Sequence, residues 1–340
     1  MAEALEPVIS VVVPAYNAER TLDSALAPLI GLLLDREIVE VIVVDDGSTD
    51  STAWIAKEAG ARVVPSGGRL GPAGARNVGA ALAKGNVIWF VDADVVVHPD
   101  GARVVKDAFE RSKAGAVFGT YDEFPAATNF LSQYKNLAHR HHHVRSGRER
   151  ETFFAGCGAV RAAAFRAVGG FDAQRYPQPS IEDIELGVRL RRRGYTIRLE
   201  PDLQARHLKA WHFGDMVRTD ILQRTVPYLR LLSDHRVPDA LRISYLEWAR
   251  VAVAWGFLVS SLAFGALLSS WWIPLGLLVA AIALNVPLLT SFYRANGAWF
   301  AFRAILFHQV HYAYTSAAYI ACRLGWAPDR PRPPRASRPA

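Results

Sequence analysis

Two aspartates, Asp92 and Asp94, flank Ala93 directly after the apolar run Val87-Ile88-Trp89-Phe90-Val91. Hard carboxylate oxygens held together at the end of a buried segment suit Mg²⁺ or Mn²⁺, which take a few protein oxygens and complete their shell with phosphate. A second acidic pair, Glu182 and Asp183, opens the helical stretch 181–193. Such a carboxylate can take a proton from a substrate hydroxyl, and acidic side chains also complement the positive end of a helix. Asp45 and Asp46 follow the apolar run 41–44 and lead into Gly47-Ser48-Thr49-Asp50. There an Asp can accept hydrogen bonds from a base N–H or a ribose hydroxyl, although an Asp-Gly turn ahead of a helix cap uses the same letters. Gly71-Pro72-Ala73-Gly74-Ala75-Arg76-Asn77 opens another helical stretch. Its glycines permit close backbone approach, and Arg76 has the reach and charge for a diphosphate.

These groups need a scaffold that brings them to one rim. Residues 9–13, 41–44, 62–64 and 87–91 are rich in Val and Ile, and they alternate with Ala- and Leu-rich helical stretches at 21–34, 51–59 and 73–83. Continuous apolar strands alternating with helices predict an α/β fold whose mostly parallel sheet is covered on both faces. In such sheets ligands bind beyond the carboxyl ends of the strands. That rim carries Pro14, Ala15, Tyr16 and Asn17 after the first strand, Asp45 and Asp46 after the second, and Asp92, Ala93 and Asp94 after the fourth. No G-x-G-x-x-G follows the first strand and no G-x-x-x-x-G-K-[ST] is present, which disfavours a dinucleotide dehydrogenase and a P-loop NTPase. No Pro/Ser-rich linker interrupts residues 121–201, so that less regular half belongs to the same domain, facing the second substrate.

With these motifs in place, the chain resembles family 2 glycosyltransferases of the GT-A fold, a Rossmann-like nucleotide-diphospho-sugar transferase architecture. The resemblance covers residues 8–230 and rests on ISVVVPAYN, VVDDGSTD, GPAGARNVGA, the D-x-D motif DAD, FAGCGAVRAAAF with VGGFD, and IEDIELGVRLRRRGY, in that order. It implies transfer of a sugar from a nucleotide-sugar donor with inversion at the anomeric carbon. It also implies donor contacts at Pro14, Ala15, Tyr16, Asn17, Asp45, Asp46, Arg76, Asp92 and Ala93. Asp92 and Asp94 would serve a Mg²⁺ or Mn²⁺ cofactor, Asp94 the more direct ligand, and His207, placed beyond a short strand ending near Glu200, would be a further ligand. The base is implied at Asp183, with Glu182 beside it. Cys157 reads as packing, because inverting transfer needs no covalent intermediate.

The rest of the chain points to a membrane. Its 340 residues are 51% hydrophobic and 21% charged with a net charge of +7, which excludes disorder for most of the length, and two Cys exclude a disulfide scaffold. No charged residue occurs from Val251 to Tyr293. We expect a catalytic domain over 1–230, an amphipathic membrane-surface collar at 231–250, transmembrane helices at 251–268 and 272–289 joined by a turn at 269–274, and a disordered Pro/Arg tail at 325–340. The less apolar stretch 304–322 is expected to be interfacial or re-entrant, because spanning would place the Arg-rich tail outside. The N-terminus lacks a basic signal-peptide region, so the catalytic domain is expected in the cytoplasm. Arg218, Arg224, Arg230, Arg242 and Arg250 lie beside the apolar segments, where anionic lipid explains them better than nucleic acid. The run His139-Arg140-His141-His142-His143 reads as a solvated or membrane-facing cationic surface. A hydroxyl-bearing lipid or lipid-linked glycan is the expected acceptor, since an ionised phosphate needs no base. A polyprenyl-phosphate glycosyltransferase is the runner-up. A polysaccharide synthase would carry Q-x-x-R-W where this chain has Gln223-Arg224-Thr225-Val226-Pro227, and a degenerate sugar-binding scaffold would have lost acids that are all present.

Overall fold

Val11 and Val13 of the first strand belong to one buried cluster and Val12 to another, so the strand is covered on both sides. The computed structural model describes residues 6–145, 147–233, 243–266 and 271–326. These fall into two compact units, residues 6–127 with 142–210 and residues 128–141 with 211–326.

The first unit is built on a nine-stranded mixed sheet. Its strands are β1 (Ile9–Ala15), β2 (Glu40–Asp45), β3 (Arg62–Pro65), β4 (Val87–Val91), β5 (Val95–Val97), β6 (Ala116–Tyr121), β7 (Glu149–Arg150), β8 (Cys157–Arg161) and β9 (Ile197–His207). The spatial order is β3-β2-β1-β4-β8-β6-β9-β5, with β7 paired to β9. β1 to β4 run parallel, whereas β8 is antiparallel to both β4 and β6. Helices α1 (Leu22–Leu34), α2 (Thr52–Glu58) and α4 (Gly101–Arg111) cover one face, and α3 (Gly71–Leu82), α6 (Ala162–Ala167) and α7 (Glu182–Arg192) the other. The second face closes around Phe90, whose ring meets Phe165 at 5.5 Å and Phe171 at 5.2 Å. Trp89, the next residue back along β4, fills the first face.

β9 departs from expectation. A short strand ending near Glu200 is expected, yet the strand runs on to His207, because β6 and β9 pair through Phe118 and Leu199, skip, and resume at Thr120 and Gln204. Pro201 sits in the skipped segment, where its missing N–H breaks no ladder bond. Gly119 permits this bulge, since a Cβ there would lie 1.9 Å from the Leu203 carbonyl oxygen. His207 is thereby a strand residue, opposite Val95.

The second unit is helical: most of α5 (Phe130–Arg145), then α8 (Phe213–Arg218), a π-helical turn Thr219–Thr225, α9 (Val226–Leu232), α10 (Tyr245–Ala266), α11 (Trp272–Leu284) and α12 (Val286–Arg323). The sheet unit therefore ends at 210, short of the expected 230, because among the described residues no strand follows β9 and the next residues pack on α12. Asp220, buried on the π turn, is held by Lys135 and by the Tyr314 hydroxyl at 2.7 Å. Tyr134 packs on Phe307 at 4.9 Å and shares a 2.5 Å hydrogen bond with His308.

Three expectations for this region change. The stretch 272–289 is not one straight helix: α11 stops at Leu284 and bends by 81° into α12, because Pro287 offers no N–H to continue the ladder. Its 13 residues are about 20 Å long, short of a bilayer core of about 30 Å. α12 breaks again at Gly297 (φ 78°, ψ −178°), and the stretch 304–322 is the arm beyond that break. Among the collar arginines, Arg250 is turned inward, its guanidinium donating to the Leu284 carbonyl at 2.8 Å. Arg218 and Arg224 are exposed, while Arg242, the turn residues 267–270 and the tail from 327 lie outside the described residues. The histidine run is likewise not a uniform surface: His141 bonds Ser291 at 2.9 Å, His143 stands edge-on to Phe154 at 5.2 Å, and His142 is exposed.

Candidate active site

The carboxyl ends of β1, β2 and β4 form one rim, with Ala15 opposite Asp45 in the ladder. Beyond β1 the chain turns at Asn17 in a left-handed conformation (φ 48°), which Asn tolerates. Its N–H donates to Ser48 Oγ at 3.0 Å, and its Oδ1 accepts from the Thr49 N–H at 2.8 Å. Asn17 thus laces the loop after β1 to the loop after β2. Pro14 is a strand residue opposite Val44, and Ala15 is buried. Tyr16 is exposed, and the Arg69 guanidinium lies over its ring at 4.0 Å. Together they make a flat, positively charged plate. Sequence reading missed Arg69, whose one signal was its place after the Gly67-Gly68 break that ends the third strand's loop.

The two adjacent aspartates have different work. Asp45 Oδ1 accepts from the Ser48 N–H at 3.1 Å, and its side chain is half-buried. Asp46 is buried, and its oxygens accept from the N–H groups of Leu70 at 2.7 Å and Gly71 at 2.8 Å and from Ser66 Oγ at 2.8 Å. Asp46, expected at the donor, anchors the start of α3. Gly71 (φ +77°) is required there, since a Cβ would lie 2.2 Å from the Pro177 carbonyl oxygen.

From α3, Arg76 enters the interior. Its two terminal nitrogens donate to Asp92 Oδ1 at 2.6 Å and Glu182 Oε1 at 3.0 Å, and only 5% of its side chain is exposed. Burial disfavours its charge, but Asp92 and Glu182 more than compensate and hold it well above the usual guanidinium range. Arg76, expected at the diphosphate, is held here in an internal ion pair. The next residue, Asn77, clamps the turn after α6: its Nδ2 donates to the Phe171 carbonyl at 2.8 Å and its Oδ1 accepts the Phe171 N–H at 2.9 Å.

Asp92, Asp94 and His207 are not gathered as one set, and among the described residues no three His, Cys, Asp or Glu side chains cluster tightly enough to hold a metal. Asp92 is taken by Arg76. Asp94 instead faces His207, Oδ2 to Nε2 at 3.5 Å, and the imidazole stacks on Tyr121 at 4.5 Å and 6°. Burial pushes the Asp94 carboxyl up, but the hydrogen bond from His207 and the charges of His207 and Lys209 outweigh it and hold the carboxyl below its ordinary range. An ionised oxygen beside an imidazole nitrogen is a donor pair that fits Mg²⁺ or Mn²⁺ when substrate phosphates supply the remaining ligands. Ala93 between them is partly buried against the core.

At the start of α7, Asp183 Oδ2 accepts the Ala155 N–H at 3.2 Å and Oδ1 accepts its neighbour Ile184's N–H at 2.8 Å. Burial and the adjacent Glu182 charge raise its carboxyl to about 6, against the opposing pull of Arg76. A carboxylate poised near neutrality is basic enough to take a hydroxyl proton. Glu182 is buried and engaged by Arg76 and the Ser180 N–H at 2.9 Å, so its place is beside the base. Cys157 is buried, with its thiol pushed up to about 12 by burial, in keeping with packing.

Residues 10–169 match the family model described as glycosyl transferase family 2. A probable glycosyltransferase of Bacillus subtilis, YdaM, is 30% identical over 212 residues, covering 57% of this chain and 49% of that protein. The glycosyltransferase GlyG of Streptococcus pneumoniae is 32% identical over 122 residues, covering 34% of this chain and 40% of that one. The chain thus spans about half or less of the length of these relatives. Among solved structures, the mannosyltransferase PcManGT of Pyrobaculum calidifontis, in complex with GDP-Man and Mn²⁺, aligns with a TM-score of 0.56 at 20% identity over 93% of this chain and 86% of that one. This likeness is one of fold, GT-A with a helical region after it.

Proposed function

We propose, from the match of residues 10–169 to the family model described as glycosyl transferase family 2, that this chain is a member of that family. It is an inverting glycosyltransferase that moves a sugar from a nucleotide-sugar to a hydroxyl acceptor, a lipid or lipid-linked glycan at the inner membrane leaflet. The observation that carries this reading is the Arg76 bridge, which joins Asp92 of the D-x-D turn to Glu182, the chain neighbour of Asp183.

In this reading the nucleotide lies on the plate made by Tyr16 and Arg69, and the free edge of Asp45 accepts its hydrogen bonds. Asp94 and His207 would hold Mg²⁺ or Mn²⁺. When bound, such a cation supplies the counter-charge for the departing diphosphate. Asp183 takes the acceptor's hydroxyl proton as that oxygen bonds to the anomeric carbon. The bond from that carbon to the diphosphate oxygen breaks with its electron pair leaving on the diphosphate, and attack from the opposite face inverts the centre.

Membrane attachment is supported by α10. Its segment Tyr245–Ala263 is apolar enough to cross, only 6% of its most apolar window is buried inside the protein, and its 19 residues are about 28 Å long. Trp271, Trp272 and Trp299 are exposed on the same unit, as interfacial aromatics are. The exposed arginines before α10 favour the cytoplasmic side for the residues that precede it. Incubating membranes with labelled UDP-, GDP- and dTDP-sugars tests the acceptor. We expect organic-extractable label in a linkage stable to mild acid. Acid-labile lipid label would mean a phosphate acceptor, and label confined to the aqueous phase would refute a lipid acceptor.

A further inference from the structure

Arg76 joins the two halves of the site. Its guanidinium bonds Asp92, 16 residues away in the chain, and Glu182, 106 residues away. We propose that Arg76 is a positioning residue that ties the Asp92–Asp94 turn to the start of α7, so that the donor-side carboxylates and the Asp183 base keep one fixed separation. The inference rests on the reading of Asp183 as the base.

The Arg76 guanidinium is committed through its two terminal nitrogens, while its buried Nε has no hydrogen-bond partner among the described residues. Both terminal nitrogens are spent on carboxylates, its side chain is 5% exposed, and the Phe171 ring lies 5.5 Å from the guanidinium carbon. Asn77 pins that ring's backbone from the same helix turn, so α3 carries both clamps in consecutive residues. The Asp92 backbone is pinned as well, its N–H donating to the Gly156 carbonyl at 3.2 Å. Glu182 has its second oxygen on the Ser180 N–H at 2.9 Å. Each acid therefore has a second anchor, the Asp92 backbone on Gly156 and the Glu182 carboxylate on Ser180, and Arg76 is the shared partner.

The charge arrangement gives the link a chemical consequence. Arg76 faces Asp92, Glu182 and Asp183, three acids around one buried cation. Without the cation, Glu182 and Asp183 repel with nothing between them, and Asp183 keeps its proton to higher pH. The base would then be both less well placed and less often available.

Nucleotide release from UDP-, GDP- and dTDP-sugars, with membrane lipid extract as acceptor, is to be followed against pH for wild type, Arg76→Lys, Arg76→Met, Glu182→Gln and Asp183→Asn. UDP and GDP binding is measured in parallel by tryptophan fluorescence. Arg76→Met should bind nucleotide within about three-fold of wild type but lose at least about ten-fold in kcat at pH 7, with its acid limb moved up by about one unit or more. Arg76→Lys should restore most of the rate and the position of the limb. If Arg76→Met does not fold, Glu182→Gln reads the same network in the opposite sense: Asp183 loses its anionic neighbour and the limb moves down. A folded Arg76→Met with wild-type kcat and an unmoved limb, or an unmoved limb in Glu182→Gln, overturns the proposal while Asp183→Asn is inactive. An active Asp183→Asn overturns the base reading, and this inference with it.

Discussion

Replacing Asp183 by Asn should abolish transfer and make the protein more stable at neutral pH. The carboxyl is raised from 3.8 to about 6, chiefly by burial and then by Glu182. A base with that value is about one-tenth ionised at pH 5 and about nine-tenths at pH 7, so the wild-type rate should climb about ten-fold between them. The stability effect runs the other way. A carboxyl whose folded value is raised holds its proton longer in the folded chain than in the unfolded one, so stability falls as pH rises from 3.8 towards 6 and stays lowered above it. The cost of keeping the charge is about 3 kcal/mol at pH 7.5. Asn carries no charge to bury, and its single amide oxygen keeps part of the contact to the Ala155 and Ile184 N–H groups, a loss of about 1 kcal/mol. The net gain of about 2 kcal/mol corresponds to about 5 °C in melting temperature. Thermal unfolding at pH 7.5 and pH 5, beside a nucleotide-release assay, measures both effects. Asp183→Asn should melt higher than wild type at pH 7.5, and the gap should close towards pH 5. Retained turnover, or a variant that melts below wild type at pH 7.5, would refute the reasoning.

Other perturbations address the remaining parts. Asp94→Ala and EDTA treatment should each eliminate activity, and Mn²⁺ or Mg²⁺ should restore only the EDTA-treated protein; full turnover in EDTA would remove the metal from the mechanism. Tyr16→Ala takes away half of the plate under Arg69 and should raise the donor KM about five-fold with kcat kept, as loss of about 1 kcal/mol of stacking predicts. A fall in kcat at unchanged KM would place Tyr16 elsewhere. Tags at residues 1 and 340 should both be shielded from protease in sealed, right-side-out cells; an accessible tag at 340 would mean that the bent pair α11 and α12 does not return across the bilayer.

What could be read from the letters is what depends on short-range pattern. The Val- and Ile-rich runs became β1 to β4 within a residue or two, because a strand buried on both faces needs an unbroken apolar run and leaves a visible one. The acids at the strand ends stood out for the same reason, as carboxylates beside such runs. Tertiary structure decided which acid does what. Asp45 and Asp46 are neighbours of one type, yet only Asp46 lies where the N–H groups of Leu70 and Gly71 converge. Arg76 reads as a phosphate contact until β4 and α7 bring Asp92 and Glu182 to it from opposite directions in the chain. His207 reads as lying beyond a strand that ends near Glu200, and the bulge against Gly119 that returns it to the sheet beside Asp94 exists only once β6 is paired. The apolar stretch 272–289 likewise has the composition of a span, but Pro287 divides it where a backbone hydrogen bond is missing, and the direction of the second half is then set by packing. Hydrophobic pattern acts locally and survives in the sequence, whereas the pairing of one donor with one acceptor is made by chain segments that have no way to register each other until the sheet is assembled.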